Sequence, residues 1–150
     1  MKKVTDAFLD FALNTRFEDL PAEVVHEVKR VLIDGIGNAL GGLSSDKGKF
    51  ALSFARKTGG IPESTIIGIG GKCSAPVAAF TNSELLNGLD MDPIPHIPPI
   101  VIPSVLAVAE AQKASGKEFL LALAVAHDIA ARLNRVLGSV MMNSLAKYGK

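Results

Sequence analysis

Residues 85–103 read LLNGLDMDPIPHIPPIVIP, and the two ends of this stretch are helical in pattern while its middle is not. An apolar helix ends near two carboxylates, Asp90 and Asp92, and a proline-broken turn carries His96. A second apolar helix then begins. A loop between two helix ends holds side chains on a scaffold and leaves them open to a ligand. The stretch therefore predicts two helices joined by a candidate functional loop.

The chemistry of this loop allows two interpretations. A carboxylate beside an imidazole can orient the ring or share its proton transfers near neutral pH. The alternative is a helix-terminating turn in which Asp90 and Asp92 are simply solvated. A negative charge at a helix C-terminus opposes the helix dipole, which tilts the balance slightly toward function.

Helical periodicity extends along most of the chain on both sides of this loop. Apolar residues at i, i+3 and i+4 predict helices over about 4–14, 21–42, 50–58, 75–89, 101–114 and 118–137. Residues 65–67, rich in β-branched side chains and followed by glycines, predict one short extended segment. We expect an all-α protein, a multi-helix bundle with at most that one extended segment near Thr65 to Ile67.

The second predicted helix contains four glycines, Gly35, Gly37, Gly41 and Gly42. Each glycine inside a helix costs about 0.5–1 kcal/mol relative to alanine. Close approach of another helix would offset that cost. We therefore predict tight helix packing on the glycine face, with Gly41 or Gly42 ending the helix.

Length and composition exclude several classes of protein. A chain of 150 residues predicts a single domain, residues 1–150. The absence of Trp, the single Tyr and a net charge of +1 disfavour nucleic-acid binding. No apolar run reaches the ~20 residues that span a bilayer, so we expect no membrane partner. The one cysteine, Cys73, cannot form an internal disulfide, and it predicts a reducing, cytoplasmic location.

Other motifs are better explained by structure than by chemistry. GIGNALGG lacks the preceding strand that a dinucleotide-binding fingerprint needs, and GIGGKC lacks the first glycine and the hydroxyl of a phosphate loop. His26 is expected on a solvated helix face and His127 in a buried, hydrogen-bonded position. Cys73 is expected to be a small apolar core residue. We predict no metal site.

Three segments, taken in order, carry a family resemblance. VLIDGIGNALGGL, STIIGIGGKCSAPVAAFTNSELLNGLDMD and VIPSVLAVAEAQKASGKEFLLALAVAHDIAARL resemble the amino-terminal helical domain of the MmgE/PrpD family. The resemblance runs from about residue 11 to residue 137. It implies a lyase-type enzyme, a dehydratase, decarboxylase or epimerase, that acts on a small polycarboxylic acid without a cofactor.

The resemblance also implies roles for individual residues. Asp90 and His96 match the active-site aspartate and histidine of the family, so they are the candidate catalytic residues. Asp92 matches the second aspartate of the family loop and is a candidate substrate-binding residue. Lys72, in the glycine turn, is a candidate cation for the substrate carboxylates. Pro93 and Ile94 depart from the family pattern, which has a third aspartate and a threonine there.

Family members are roughly three times as long, with a second, α+β domain that we expect to be absent from this chain. One hypothesis is therefore a hydro-lyase domain that is incomplete alone and needs residues from a companion chain. The other is a non-catalytic helical module, derived from such an enzyme, that binds or assembles. Apolar faces that lack a second domain predict a homodimer or a complex with that companion chain.

Overall fold

The computed structural model describes the backbone of residues 3–148 and the side chains of residues 3–138. This part of the chain is mostly helical, and the predicted all-α class is confirmed. The helices are α1 (Val4–Asn14), α2 (Ala22–Gly42), α3 (Asp46–Thr58), α4 (Ala75–Leu86), α5 (Pro98–Ala111) and α6 (Gly116–Tyr148). A single 3-10 turn, Phe17–Asp19, connects α1 to α2.

Helix α4 lies at the centre of the bundle and packs against α2, α3 and α5, and α6 covers α5. The core contains Leu85 and Leu86 from the end of α4, Ile102 from α5 and Leu123 from α6, all of them buried. Burial of large aliphatic side chains stabilises a fold by about 1.5–3 kcal/mol for each residue. The end of α4 is thus firmly anchored at the point where the loop to α5 begins.

Two glycines of α2, Gly35 and Gly42, are sites of close helix packing, as predicted. A Cβ atom on Gly35 would collide with the Ile102 side chain, and one on Gly42 would overlap the carbonyl oxygen of Leu85. The prediction is wrong at Gly37, which has open space beside it. Helix α2 ends at Gly42, in agreement with the predicted stop.

The expected single extended segment is instead a pair of very short strands. Strand β1 (Ser64–Thr65) pairs antiparallel with β2 (Lys72–Cys73), with Ser64 opposite Cys73 and Thr65 opposite Lys72. Strands of two residues are too short to show an alternating pattern in sequence, which explains why β2 was missed. The glycine turn between them is confirmed, since Gly68 and Gly70 have positive φ angles.

Several helix ends differ from the predictions by a few residues. Helix α4 ends at Leu86 rather than near residue 89, and α5 begins at Pro98 rather than residue 101. Pro103 therefore lies inside α5 and not in its first turn. Helix α6 continues to Tyr148, although the sequence after residue 137 shows only weak helical signals. No described helix has the length and apolar character needed to cross a bilayer.

Candidate active site

The loop between α4 and α5, residues 87–97, carries all three side chains predicted from the central stretch. It begins at Asn87, the C-cap of α4, whose backbone N–H donates to the carbonyl of Ser83. Asp90 then adopts a left-handed conformation with φ of 53°. Aspartate is one of the few side chains that tolerate this conformation, because its short polar group can bond locally. The turn at Asp90 sends the chain back toward the end of α4.

The loop brings Asp92 and His96 into direct contact. Oδ2 of Asp92 lies 2.7 Å from Nδ1 of His96, and the Asp92 side chain is only 1% exposed. Oδ1 of Asp90 lies 4.0 Å from the same nitrogen, and the Asp90 side chain is 80% exposed. The sequence placed the three groups together correctly. It did not show that the buried Asp92, rather than Asp90, is the hydrogen-bond partner of His96.

This contact determines which nitrogen of a neutral His96 carries the proton. An ionised carboxylate can only accept hydrogen bonds, so Nδ1 of His96 must donate to Asp92. The lone pair then resides on Nε2, and half of the His96 side chain remains exposed. An imidazole held in this way can accept a proton from a bound molecule.

Asp92 remains charged in spite of its burial. Burial opposes the charged form and would raise the pKa of Asp92, but hydrogen bonds from Asn87 and His96 and the charge of His96 outweigh it. The net result is a pKa below the ordinary aspartate value. Nδ2 of Asn87 donates to Oδ1 of Asp92 at 2.9 Å, so each carboxylate oxygen has a partner.

A cleft of about 320 Å³ opens beside these side chains, a volume at the lower end of the range for small-molecule sites. It is lined by Lys47, Ser83, Glu84, Asn87, Asp90, His96, Pro99 and Ile100. Its walls thus come from the start of α3, the end of α4, the loop and the start of α5. Asp90 is largely exposed and His96 is about half exposed, so both groups lie at a solvent-accessible opening.

Lys47 is a cleft residue that the sequence analysis did not predict. It lies in the first turn of α3, where Nζ pairs with Glu84 Oε2 at 3.3 Å and donates to Oδ1 of Asn87. The next residue, Gly48, has no room for a Cβ atom against the carbonyl of Gly42. A Cβ atom on Gly48 would also lie 3.0 Å from the Leu85 side chain, so the start of α3 packs closely on the end of α4 as well. Forty residues separate Lys47 from Asn87 in sequence, so no local pattern could have signalled the contact.

Lys72, the predicted cation, is not brought to this cleft. It lies in β2 opposite Thr65, and Thr65 bonds through its N–H and hydroxyl to the carboxylate of Glu110, near the end of α5. The cleft lies at the other end of α5, at Ile100. Ten residues of helix separate these points, about 15 Å along the axis. Lys47 therefore occupies the position in the cleft that the sequence analysis gave to Lys72.

The same three loop residues lie close enough together that they could hold a metal ion. One ligand atom from each of Asp90, Asp92 and His96 lies within 4.8 Å of the others. Oδ2 of Asp92 and Nδ1 of His96 are, however, already engaged with each other. The prediction that the protein uses no metal remains a prediction.

The cleft therefore presents groups of the kinds that take part in proton transfer. His96 offers a lone pair, Asp90 offers an exposed carboxyl group and Lys47 offers a positive charge. General acid–base catalysis requires such groups within hydrogen-bond reach of the reacting proton.

Comparison with known proteins identifies a matching family and two similar enzymes. The model of the MmgE/PrpD N-terminal domain family matches residues 6–145. Cis-aconitate decarboxylase of Aspergillus terreus is 28% identical over 156 residues, which cover 94% of this chain and 31% of that enzyme. The cis-aconitate decarboxylase of Aspergillus terreus strain NIH 2624 gives the same values. The chain thus spans about a third of the length of these relatives. No solved structure matches it.

Proposed function

The chain belongs to the MmgE/PrpD N-terminal domain family, and we propose that it is the helical part of a lyase-type enzyme acting on a small polycarboxylic acid. The observation that carries this proposal is the Asp92–His96 pair at the opening of a cleft that Lys47 and Asp90 also line. The decarboxylase activity of the relatives supports the lyase class.

In the proposed reaction His96 is the base. Its Nε2 removes a proton from the carbon next to a substrate carboxylate, and the electron pair forms a double bond as a β-hydroxyl leaves as water. Asp90, when protonated, supplies the proton to that hydroxyl. A decarboxylation would use the same groups, with carbon dioxide leaving and His96 or Asp90 returning a proton to carbon. Groups in such positions typically contribute 10²- to 10⁴-fold to a rate.

Asp92 takes a different role from the one expected. Its carboxylate is buried and both oxygens are bonded, so it is better suited to hold His96 than to bind substrate. Lys47 replaces Lys72 as the proposed partner of a substrate carboxylate, because Lys47 lines the cleft and Lys72 does not. In the described structure Lys47 is paired with Glu84, and a substrate carboxylate would have to compete with that pair.

A polycarboxylate needs more positive charge than the cleft offers. Among the described residues that line it, Lys47 is the sole lysine or arginine, and Glu84 and Asp90 add negative charge. We therefore propose that a companion polypeptide or second copy supplies further cations, so that the chain alone is a weak catalyst. The alternative proposal, a non-catalytic helical module, predicts no chemistry with any companion.

The test measures proton abstraction directly. The chain, alone and mixed with candidate companion chains, is incubated in D₂O with di- and tricarboxylic acids and followed by proton NMR. We expect exchange of the proton next to a carboxylate, and formation of an unsaturated acid when the companion is present.

His96→Ala should reduce exchange by 10²-fold or more, as for loss of a general base. His26→Ala is the matched control, because His26 is an exposed residue of α2 that does not line the cleft. Equal rates in the two variants would contradict the proposed role of His96. Complete absence of exchange and turnover with every companion would favour the non-catalytic alternative.

A further inference from the structure

We propose that Asn87 is a positioning residue that links Lys47 to the Asp92–His96 pair and thereby determines which nitrogen of His96 carries the proton. Four side chains form a continuous hydrogen-bonded series, from Lys47 through Asn87 and Asp92 to His96. The effect of this positioning on catalysis by His96 rests on the proposed function, whereas the positioning itself does not.

The chemistry of the two neighbours allows the Asn87 amide one orientation. Lys47 can only donate hydrogen bonds, so the oxygen Oδ1 of Asn87 must face it. The Asp92 carboxylate can only accept, so the Nδ2 group must face Asp92. Both requirements are met by the same planar amide. Rotating the amide by half a turn would bring its oxygen against the carboxylate and its NH₂ group against the ammonium.

This orientation fixes Asp92 in turn. Oδ1 of Asp92 is occupied by the amide of Asn87, and Oδ2 is left to accept from Nδ1 of His96 at 2.7 Å. Without the amide, a buried carboxylate oxygen of Asp92 would lose its hydrogen-bond partner, which is unfavourable. The carboxylate would then rotate or move toward solvent, and the hold on His96 would loosen.

Few side chains could replace Asn87 in this series. Aspartate has the same shape but would bring a second carboxylate against Asp92. Leucine has a similar volume but neither donates nor accepts. Asn87 also caps α4, so its backbone position is set by the helix and its side chain has little freedom to search for other partners. The amide is therefore chemically specified and not a neutral polar residue.

The test reads the protonation pattern of His96 directly, without substrate. The chain has only three histidines, so ¹⁵N-histidine labelling with single His variants assigns each ring. Spectra are recorded at increasing pH until the histidine shifts no longer change, so that the neutral rings are observed. In the wild type, the ¹⁵N shifts of His96 should show the proton on Nδ1.

In Asn87→Asp we expect the fraction of His96 with the proton on Nδ1 to fall at least about twofold, toward that of an unconstrained imidazole. Asn38→Asp is the matched control, because Nδ2 of Asn38 also donates to a carboxylate, that of Asp34, on an exposed face of α2. That variant should leave His96 unchanged. Identical His96 spectra in Asn87→Asp and the wild type would overturn the proposal.

Lys47→Met provides a second route if Asn87→Asp does not fold. It removes the donor to Oδ1 of Asn87 and leaves the amide itself intact, so a smaller change of the same sign is expected at His96. An unchanged His96 spectrum in a folded Lys47→Met variant would overturn the proposal that Lys47 acts on His96 through Asn87 and Asp92. Because no turnover is measured, these results stand whether or not the chain proves to be a lyase.

Discussion

At the scale of single residues, His127 is a histidine that the candidate site does not use. Its Nδ1 donates to the carbonyl of Leu123 at 2.9 Å, which confirms the predicted hydrogen bond, although the residue is half-buried and not fully buried. Its Nε2 is buried without a partner among the described residues. Burial lowers the pKa of His127 below the ordinary value of 6.5. At pH values just below 6.5, the His127 ring is therefore neutral in the folded protein, whereas an exposed histidine would be charged.

This burial predicts a pH dependence of stability. As pH falls below about 6.5, the unfolded chain binds a proton at His127 that the folded chain does not, so folding becomes less favourable. Each pH unit removes at most about 1.4 kcal/mol until the lowered pKa is reached. His127→Leu should abolish this part of the loss, measured by urea unfolding at pH values above and below 6.5.

His26→Leu is the control for that measurement, because His26 is exposed on α2. It should leave the pH dependence as it is in the wild type. A wild-type stability that is flat between neutral pH and the onset of carboxylate protonation would contradict the account of His127.

The loop residues show which features of the candidate site could be predicted from local sequence. Their composition and spacing correctly placed Asp90, Asp92 and His96 in one loop of seven consecutive residues, where the structure brings them together. The choice of Asp92 over Asp90 as the partner of His96 depends on the left-handed turn at Asp90 and on the burial of Asp92. Neither feature is visible in the order of residue types.

At the scale of helices, glycines decide how closely α2, α3 and α4 approach. Gly42 lies against the carbonyl of Leu85, and Gly48 lies against the carbonyl of Gly42. Backbone atoms cannot move aside as a side chain end can. These contacts place the start of α3 beside the end of α4, where Lys47 meets Glu84 and Asn87.

A pair of substitutions in one helix tests this packing. Gly42→Ala should destabilise the protein by about 1–3 kcal/mol or more, because the added methyl group overlaps backbone. Gly37→Ala, in the same helix with open space beside it, should instead stabilise it by about 0.5–1 kcal/mol. Thermal and urea unfolding measure both changes. Two variants with the same sign of effect would contradict the assigned contacts.

Helix positions were predictable and helix ends were less so. Periodic apolar residues report which face is buried over many turns, and all six helices were anticipated from them. The ends depend on capping contacts with distant residues. Ser74 is the N-cap of α4, as predicted, yet its hydroxyl donates to the carbonyl of Gly59 and Glu63 bonds the first N–H of the helix.

At the scale of the whole molecule, many large apolar side chains are exposed on the surface. Ile94, Leu13 and Ile33 are each at least 72% exposed, and Val4, Met91, Phe50 and Ile100 are at least 66% exposed. Exposed apolar side chains that form a contiguous patch mark an interface. These residues, on α1, α2, α3, α5 and the loop, are the candidate contacts of the proposed homodimer or companion complex, both of which remain proposals, as does the cytoplasmic location.

Sedimentation velocity at micromolar concentration tests the association. We expect a species heavier than the 15.7 kDa monomer, either for the chain alone or after addition of the companion chain. Leu13→Ser, a change at an exposed apolar residue of α1, and Ile94→Ser, a change in the loop, report which face is involved. A chain that sediments as a clean monomer under both conditions would contradict the prediction.

The sequence by itself determined the helical class, the order of the helices and the loop in which the candidate site lies. Those properties follow from interactions between residues a few positions apart, which leave a period in the sequence. Only the tertiary structure decided that Asp92 holds His96, that Asn87 holds Asp92 and that Lys47 rather than Lys72 lines the cleft. Long-range contacts leave no period, because helix packing joins residues that lie tens of positions apart in the chain.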